Sequence, residues 1–237
     1  MSEPIFRYDA AILDRYPDLV GAVILARGLT NGPTPALREA YAAEQAAVVA
    51  RLGQTPLSQV PSLAAWRAAF RGFGVDPTQY RSAAEALLRR LTKAGSIPNV
   101  NALVDLGNLI AIRYALPVAV FDLRGLPGGT TVRLADGTER FTNLGQGEAE
   151  HPAPGEVIFA NPAGLVSARR WCWRQGAESA AREDTTAALI TIEAQHQGGR
   201  ADVAAAVRDL LELLPSVAPG AEVQSAILDR QRGATPF

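Results

Sequence analysis

The spacing of apolar and polar residues changes character near the middle of the chain. In the first half, after a predicted buried strand at 19–26, apolar side chains recur every three to four residues, which predicts amphipathic helices. In the second half, short runs rich in branched and aromatic residues alternate with glycine, proline and asparagine, a pattern typical of strands and turns. The layout predicts an α/β (α+β) fold, with helices packed on a mostly antiparallel sheet.

The predicted helices are bounded by capping and breaking residues. Thr34 followed by Pro35 favours a helix start that runs to about Leu52, and Asp76 followed by Pro77 favours another. Pro215 is expected to end the last helix because proline lacks the N–H that continues one. The helices expected after the first lie at 62–72, 76–94, 99–115 and 201–214.

The second half is expected to contain strands at "VAVFDL", "TTAALITIEAQ" and "AEVQSAIL". The pair Asp136-Gly137 predicts a hairpin turn, and two further strands are expected around 161–164. No linker separates the two halves, so residues 1–237 are expected to form a single domain. The polar tail 229–237 is expected to be loose.

Composition narrows the class of protein. The chain of 237 residues is 48% hydrophobic, enough for a large core, and carries 23 basic against 24 acidic residues. A dedicated nucleic-acid binder usually has a basic excess, so any contact with RNA is expected to be local or weak, and no DNA contact is expected. A single cysteine, no recognisable leader and no membrane-length apolar run together suggest a cytoplasmic protein without a membrane partner.

The usual catalytic and metal-binding motifs are missing from the sequence. His151 and His196 lack companions at metal-ligand spacing, and the glycine-rich stretches "LPGGT" and "NLGQGE" indicate turns rather than a phosphate loop. There is no nucleophile elbow and no cysteine–histidine pattern. No metal, cofactor or catalytic residue is therefore assigned.

The stretch Arg169–Gly176, "RRWCWRQG", concentrates three arginines, two tryptophans and the lone cysteine. As a continuous strand it would place Arg169, Trp171 and Trp173 on one face, forming a cationic and aromatic platform that could stack a base or an adenosine ring. Alternatively, the tryptophans are buried and the arginines pair with carboxylates such as Glu156 or Asp184. The residues alone leave both interpretations open.

Two ordered blocks resemble a known domain. "NALVDLGNLIAIRYALPVAVFD" (101–122) and "GEVIFANPAGLVSARRWCWRQGAESAAREDTTAALITIEA" (155–194) are similar to the B3/B4 domain of the phenylalanyl-tRNA synthetase β subunit. An "RRWNWRQ"-like signature is typical of stand-alone relatives of that domain. The resemblance, strongest over 99–194, implies a B3/B4 fold and an association with tRNA. In the synthetase this domain hydrolyses tyrosine from misacylated phenylalanine tRNA with a bound water.

Several positions differ from the synthetase pattern. The pocket histidine of "PLHAFD" falls on Ala119, and the threonine of "VTNY" falls on Gly107, while the following asparagine is kept as Asn108. The glycine-rich wall falls on 172–176. The glutamate that recognises the tyrosine hydroxyl falls on Thr191, and Glu193, two residues on along a strand, could replace it from the same face.

These comparisons yield one candidate substrate-binding set: Asn108, Arg169, Arg170, Trp171, Trp173, Arg174 and Glu193. Three functions are open. The chain could act on tRNA, binding or hydrolysing misacylated aminoacyl-tRNA in trans. It could instead bind an amino-acid-like small molecule without catalysis, or it could be a structural or partner-binding descendant of the domain. Whether it is an enzyme is open at this point.

Overall fold

The protein is described by a computed structural model that covers residues 5–32 and 34–237. The expectation that the N-terminus carries no leader falls partly on residues outside this description. The helices are α1 (Ala10–Arg15), α2 (Pro35–Leu52), α3 (Pro61–Gly72), α4 (Ala83–Ala94), α5 (Ala102–Tyr114) and α6 (Gly199–Val217). The strands are β1 (Phe6–Tyr8), β2 (Val20–Arg27), β3 (Val118–Asp122), β4 (Thr130–Leu134), β5 (Phe141–Thr142), β6 (Ala149–Glu150), β7 (Val157–Ala160), β8 (Val166–Arg169), β9 (Arg174–Gln175), β10 (Ala187–Ala194) and β11 (Glu222–Leu228).

Two main sheets organise the fold. The first has strand order β11-β2-β10-β3 and is antiparallel throughout. The second has order β1-β4-β7-β8-β9, and β1 pairs with β4 in parallel while the other pairs are antiparallel. The α+β fold with a mostly antiparallel sheet, predicted from the sequence, is confirmed.

The central strands β2 and β10 of the four-stranded sheet are buried on both faces, and their residues alternate between the two. Ile24, Val120 and Ile190 face the helical layer of α2, α4, α5 and α6. Leu25, Phe121 and Leu189 face the other sheet and its aromatic residues. Such two-sided burial explains why β2 and β10 read as nearly continuous apolar runs.

Helix α5 lies close against β3 because Gly107 has no side chain. A Cβ at Gly107 would lie 2.9 Å from Cγ2 of Val120 and 3.5 Å from Cγ1 of Val118. Gly107, which stands where the family has a threonine, therefore allows α5 to pack closely on β3.

The prediction of a local hairpin at Asp136-Gly137 is wrong. β4 pairs with β1 and β7, and β5 pairs with β6. The Glu139 carboxylate accepts hydrogen bonds from the backbone N–H groups of Asp136 and Gly137, at 3.1 and 3.0 Å, and pairs with Arg133. The turn is therefore stabilised by a side chain, while the strands on either side of it pair elsewhere.

Two helix boundaries also differ from expectation. The start predicted at Asp76 is an Asx-type turn, in which Asp76 Oδ1 accepts from the Thr78 N–H at 2.8 Å. The helix begins after Ser82, which is its N-cap and whose hydroxyl accepts from the Glu85 N–H at 3.3 Å. Pro215 lies inside α6, which continues to Val217.

The C-terminal segment 229–237, expected to be loose, lies along β1 instead. The Tyr8 N–H donates to the Gly233 carbonyl at 2.8 Å, and the Thr235 N–H donates to the Phe6 carbonyl at 3.0 Å. Thr235 is buried. These backbone bonds satisfy groups of β1 on the side that β4 does not cover.

Candidate functional site

The stretch 169–176 forms a tight bend rather than a continuous strand. β8 ends at Arg169 and β9 begins at Arg174. Between them Arg170 and Trp171 both have left-handed backbones, with φ of 46° and 60°. Two successive non-glycine residues in this region cost about 1–3 kcal/mol each, so the surrounding contacts must hold them there. Of the two interpretations that the sequence left open, the one that places Arg169, Trp171 and Trp173 as a platform on one strand face is wrong.

Glu156 holds the bend. Its carboxylate accepts two hydrogen bonds from the Arg169 guanidinium, at 2.9 and 3.0 Å, and one from the Arg170 N–H at 2.9 Å. The Trp171 N–H donates to the Val157 carbonyl at 2.7 Å. Arg169 and Glu156 are both buried, and Arg169 also binds Glu150 at 2.7 Å. The expected pairing of an arginine with Glu156 is confirmed, whereas Asp184 pairs with Arg124.

The bend directs the two tryptophans to different places. Trp171 is fully buried, and its ring makes edge contacts with Tyr16 and Trp66 at centroid distances of 4.9 and 5.2 Å. Trp173 is half-buried and meets the Tyr80 ring edge-on at 5.0 Å. Trp171 belongs to the core, and Trp173 lies where the core meets solvent.

The Arg170 guanidinium lies over the rings of Tyr80 and Trp173, at 3.8 and 4.4 Å from their centroids. Arg174 is exposed and lies 4.7 Å from the Trp173 centroid. Burial lowers the pKa of Arg170, and the neighbouring charge of Arg169 acts in the same direction. Of the three arginines in the stretch, Arg174 is the one that presents its charge to solvent.

Glu193 is the centre of the buried polar network. It lies on β10 and is only 2% exposed. Tyr8 Oη donates to Glu193 Oε1 at 2.8 Å, and Trp171 Nε1 donates to the same oxygen at 3.0 Å. Among the described residues, Oε2 receives no hydrogen bond from the protein.

Burial raises the pKa of Glu193 to about 7, although the hydrogen bonds from Trp171 and Tyr8 act in the opposite direction. Burial also raises the pKa of the Cys172 thiol well above its usual value, and the nearby Glu193 adds to the rise. The thiol is therefore protonated at neutral pH and is a poor nucleophile.

A cavity of about 70 Å³ lies beside Glu193, between the two sheets. Ala119 and Phe121 of β3, Thr191 and Glu193 of β10, Phe159 of β7 and Ala168 of β8 contribute to its walls. The bend supplies residues 171–175, and Ala83 at the start of α4 completes the lining. A cavity that admits benzene has roughly 150 Å³, so this one holds a small group unless Trp173 moves.

The predicted site residues divide into two sets. The cavity brings together Trp171, Trp173, Arg174 and Glu193. Asn108 is half-buried on α5, and Arg169 and Arg170 are engaged by Glu156, Tyr80 and Trp173; none of these three lines the cavity. Their assignment to substrate binding therefore has no geometric support from this cavity.

Sequence reasoning missed Tyr8, which reaches Glu193 from 185 positions away. One feature of the sequence, the glycine at position 21, indicated a close contact at this point. Gly21 is isolated in an apolar strand, which marks a close approach of other atoms. A Cβ at Gly21 would lie 2.0 Å from Tyr8 Oη. Gly21 thus leaves the space that the hydroxyl needs to meet Glu193.

Comparison with known proteins identifies the family. A model of the B3/4 domain matches residues 65–202. The chain belongs to the B3/4 domain family. The phenylalanine–tRNA ligase β subunit of Shewanella oneidensis is 26% identical over 121 residues, which is 51% of this chain and 15% of that protein. An N-terminal fragment of the phenylalanyl-tRNA synthetase β subunit from Pyrococcus horikoshii aligns with a TM-score of 0.49 and 12% identity, covering 94% of this chain and 52% of the fragment.

The chain therefore spans a small part of its curated relative and about half of the solved fragment. Some of the positions that the resemblance assigned to the family's pocket line the cavity beside Glu193. Ala119, Thr191, Glu193 and residues 172–175 line a single cavity. Gly107 and Asn108 do not take part in it.

Within the described residues, no helix is long and apolar enough to cross a membrane, and no group of three or more acidic, histidine or cysteine side chains could hold a metal ion.

Removing Glu156 is expected to destabilise the bend strongly. Glu156→Ala leaves the buried Arg169 without its bidentate partner and frees the Arg170 N–H, so we expect the free energy of unfolding in urea to fall by about 3–5 kcal/mol. Asp184→Ala removes an exposed partner of Arg124, and we expect it to lower the free energy of unfolding far less than Glu156→Ala does. Equal losses for the two variants would contradict the structural role given to Glu156.

The raised pKa of Glu193 makes stability depend on pH. The folded protein holds the proton up to about pH 7 and the unfolded chain only to about 4.5, so this group's contribution to the free energy of unfolding falls as pH rises between those values. Glu193→Gln keeps an acceptor for both donors but does not titrate. We expect the stability of the variant relative to wild type to increase by up to about 3 kcal/mol from pH 4.5 to 8. A difference that does not change with pH would exclude the shifted pKa.

Proposed function

We propose that this B3/4 domain binds a small amphipathic, amino-acid-like molecule in the cavity beside Glu193. The observation that carries the proposal is the arrangement of the carboxyl group. Both donors that the described residues offer converge on Oε1, and Oε2 is left to interact with a hydroxyl or amine of a ligand. A group that offers no such donor would leave this oxygen buried and unsatisfied, at a cost of about 1–3 kcal/mol.

The rest of the cavity suits the remainder of such a ligand. Phe121, Phe159 and the tryptophans offer apolar and aromatic surface, and Arg174 offers a cation at the rim for a carboxylate or phosphate. The cavity is small, so the donor end of the ligand enters it and the rest extends past Trp173 toward solvent. The buried and stacked positions of Arg169 and Arg170 favour this function over a broad cationic platform.

Hydrolysis of misacylated aminoacyl-tRNA in trans is a second candidate. Ala119, Thr191 and residues 172–175, which the resemblance assigns to the family's pocket, line this cavity, and a related phenylalanine–tRNA ligase favours an association with tRNA. In this reaction water adds to the ester carbonyl, the ester bond to the ribose breaks, and a free amino acid and tRNA are released. The protonated Cys172 thiol offers no activated nucleophile, so the cavity would have to position the water itself.

Binding of free amino acids would test the first candidate. Trp171 and Trp173 line the cavity, so their fluorescence should report a ligand in a titration with tyrosine, phenylalanine and a panel of other amino acids. We expect saturable binding to wild type, at least about tenfold weaker binding to Glu193→Gln, and unchanged binding to the exposed control Glu212→Gln. Equal affinities for the two variants would place the ligand elsewhere or exclude it.

Deacylation would decide between the candidates. Purified protein would be mixed with correctly and wrongly charged tRNAs, including tyrosine on phenylalanine tRNA, and the loss of ester would be followed against a blank. Faster loss of one species that disappears in Glu193→Gln would establish hydrolysis. Binding of an amino acid without acceleration of any ester would leave the binding function and exclude hydrolysis of the species tried.

A further inference from the structure

A groove of about 390 Å³ lies at the surface where α3 meets the segment that follows α1. Its volume falls within the range of about 300–1,000 Å³ that is usual for small-molecule sites. We call it the α3 groove, and its walls are residues 15–18, Ala65, Ala68, Ala69 and Gln195. None of these described residues lines the cavity beside Glu193, so the two sites are separate.

Two buried polar side chains of the α3 groove lack a hydrogen-bond partner. Tyr16 and Gln195 are each only 9% exposed. Among the described residues, neither Tyr16 Oη nor Gln195 Nε2 has a partner. The amide nitrogen can only donate, and the hydroxyl can donate as well. Because burying an unpaired polar group is costly, the pair favours a ligand that brings a hydrogen-bond acceptor into the groove.

A cation stands beside Tyr16. The Arg15 guanidinium lies 5.9 Å from the centroid of the Tyr16 ring and donates to the Gly72 carbonyl at the end of α3. Arg15 is exposed, and within the described residues it forms no ion pair, in contrast to Arg230, which pairs with Asp14 of α1. An unpaired guanidinium next to two unpaired donors favours an anionic acceptor, and a carboxylate matches the geometry of a guanidinium.

The α3 side of the groove carries no side chain larger than a methyl group. Ala65, Ala68, Ala69 and Gly72 recur at spacings of three and four residues, so they share one face of the helix. A Cβ at Gly72 would lie 3.3 Å from Tyr16 Oη, which shows that this face runs up to the hydroxyl. A narrow aliphatic chain can therefore lie along the alanines while its acidic end meets Tyr16.

Asp18 is the carboxylate that lines the groove among the described residues. It is exposed, so water and salt screen its charge, whereas Tyr16 and Gln195 are buried. Repulsion between Asp18 and a bound anion is therefore weaker than the gain at the buried donors.

We propose that the α3 groove binds a carboxylate that carries a short, unbranched aliphatic chain. The carboxylate accepts hydrogen bonds from Arg15, Tyr16 and Gln195, and the chain packs on the alanines of α3. The proposal goes beyond the function proposed for the cavity, because it uses different residues and does not depend on what the cavity binds.

The test needs a probe inside the groove. The Tyr16 ring lies 4.9 Å from the ring of Trp171, which also lines the cavity, so tryptophan fluorescence would not separate the two sites. The side-chain amide of Gln195 is local. Its signal in proton–nitrogen correlation NMR, identified by its absence in Gln195→Leu, would be followed while sodium butyrate is added at constant ionic strength. Butylamine, which has the same chain and the opposite charge, is the second probe.

The variants separate the groove from the rest of the surface. Ala68→Leu places a larger side chain in the groove, and Ala43→Leu makes the same change at an exposed alanine of α2. Arg15→Gln removes the cation, and Asp18→Asn removes the exposed carboxylate.

We expect butyrate to shift the Gln195 signal of wild type saturably, with a dissociation constant on the order of 1 mM for so small a ligand. Binding should be at least about tenfold weaker in Ala68→Leu and in Arg15→Gln, unchanged in Ala43→Leu, and equal or tighter in Asp18→Asn. Thermal unfolding and amino-acid binding of Ala68→Leu should match wild type, which separates this result from a failure of the cavity.

Three outcomes would overturn the proposal. The first is a Gln195 signal of wild type that shows no saturable change up to about 100 mM butyrate. The second is equal affinity of Ala68→Leu and Ala43→Leu for butyrate, which would place the ligand outside the groove. The third is binding of butylamine as tight as that of butyrate, which would show that the donors do not select a carboxylate.

Discussion

The hydrogen bonds of the Glu193 carboxyl connect the parts of the molecule that form the cavity. One oxygen accepts from Tyr8 on β1 and from Trp171 in the bend, while Glu193 itself belongs to β10. The interaction therefore joins the two sheets and the segment between them. A buried carboxyl without hydrogen-bond partners is costly, so Glu193 needs the two donors. Tyr8 can reach Glu193 only because Gly21 has no side chain in the space that the hydroxyl occupies.

The bend that delivers Trp171 depends on a second buried carboxylate. Glu156 binds the Arg169 side chain and the Arg170 backbone, and these contacts offset the cost of two left-handed residues. As a result Trp171 enters the core and Trp173 stays at the rim of the cavity. Three arginines that look alike in the sequence thus have different environments: one is buried and paired, one is stacked on aromatic rings, and one is exposed.

Local patterns were sufficient to predict most of the fold. Apolar periodicity and caps located β2, α2 and α3, and the resemblance placed Ala119, Thr191 and Glu193 in one pocket. Contacts between distant segments could not be predicted in this way. No local motif indicates the Tyr8–Glu193 hydrogen bond. The Asp136-Gly137 turn does not form a hairpin because β4 pairs with β7 instead. Two residues with left-handed backbones interrupt a stretch whose alternation resembles a strand. In each case a tertiary contact outweighed the local preference.

The most direct test of this account is the protonation of Glu193 itself. Carbon-13 NMR of protein labelled at glutamate carboxyl groups, with the Glu193 signal identified by its absence in Glu193→Gln, would follow the group through a pH titration. We expect a midpoint near pH 7, because burial beside the cavity raises the pKa of the carboxyl more than the hydrogen bonds from Tyr8 and Trp171 lower it. A midpoint between about 4 and 5, the range of an exposed glutamate, would contradict it.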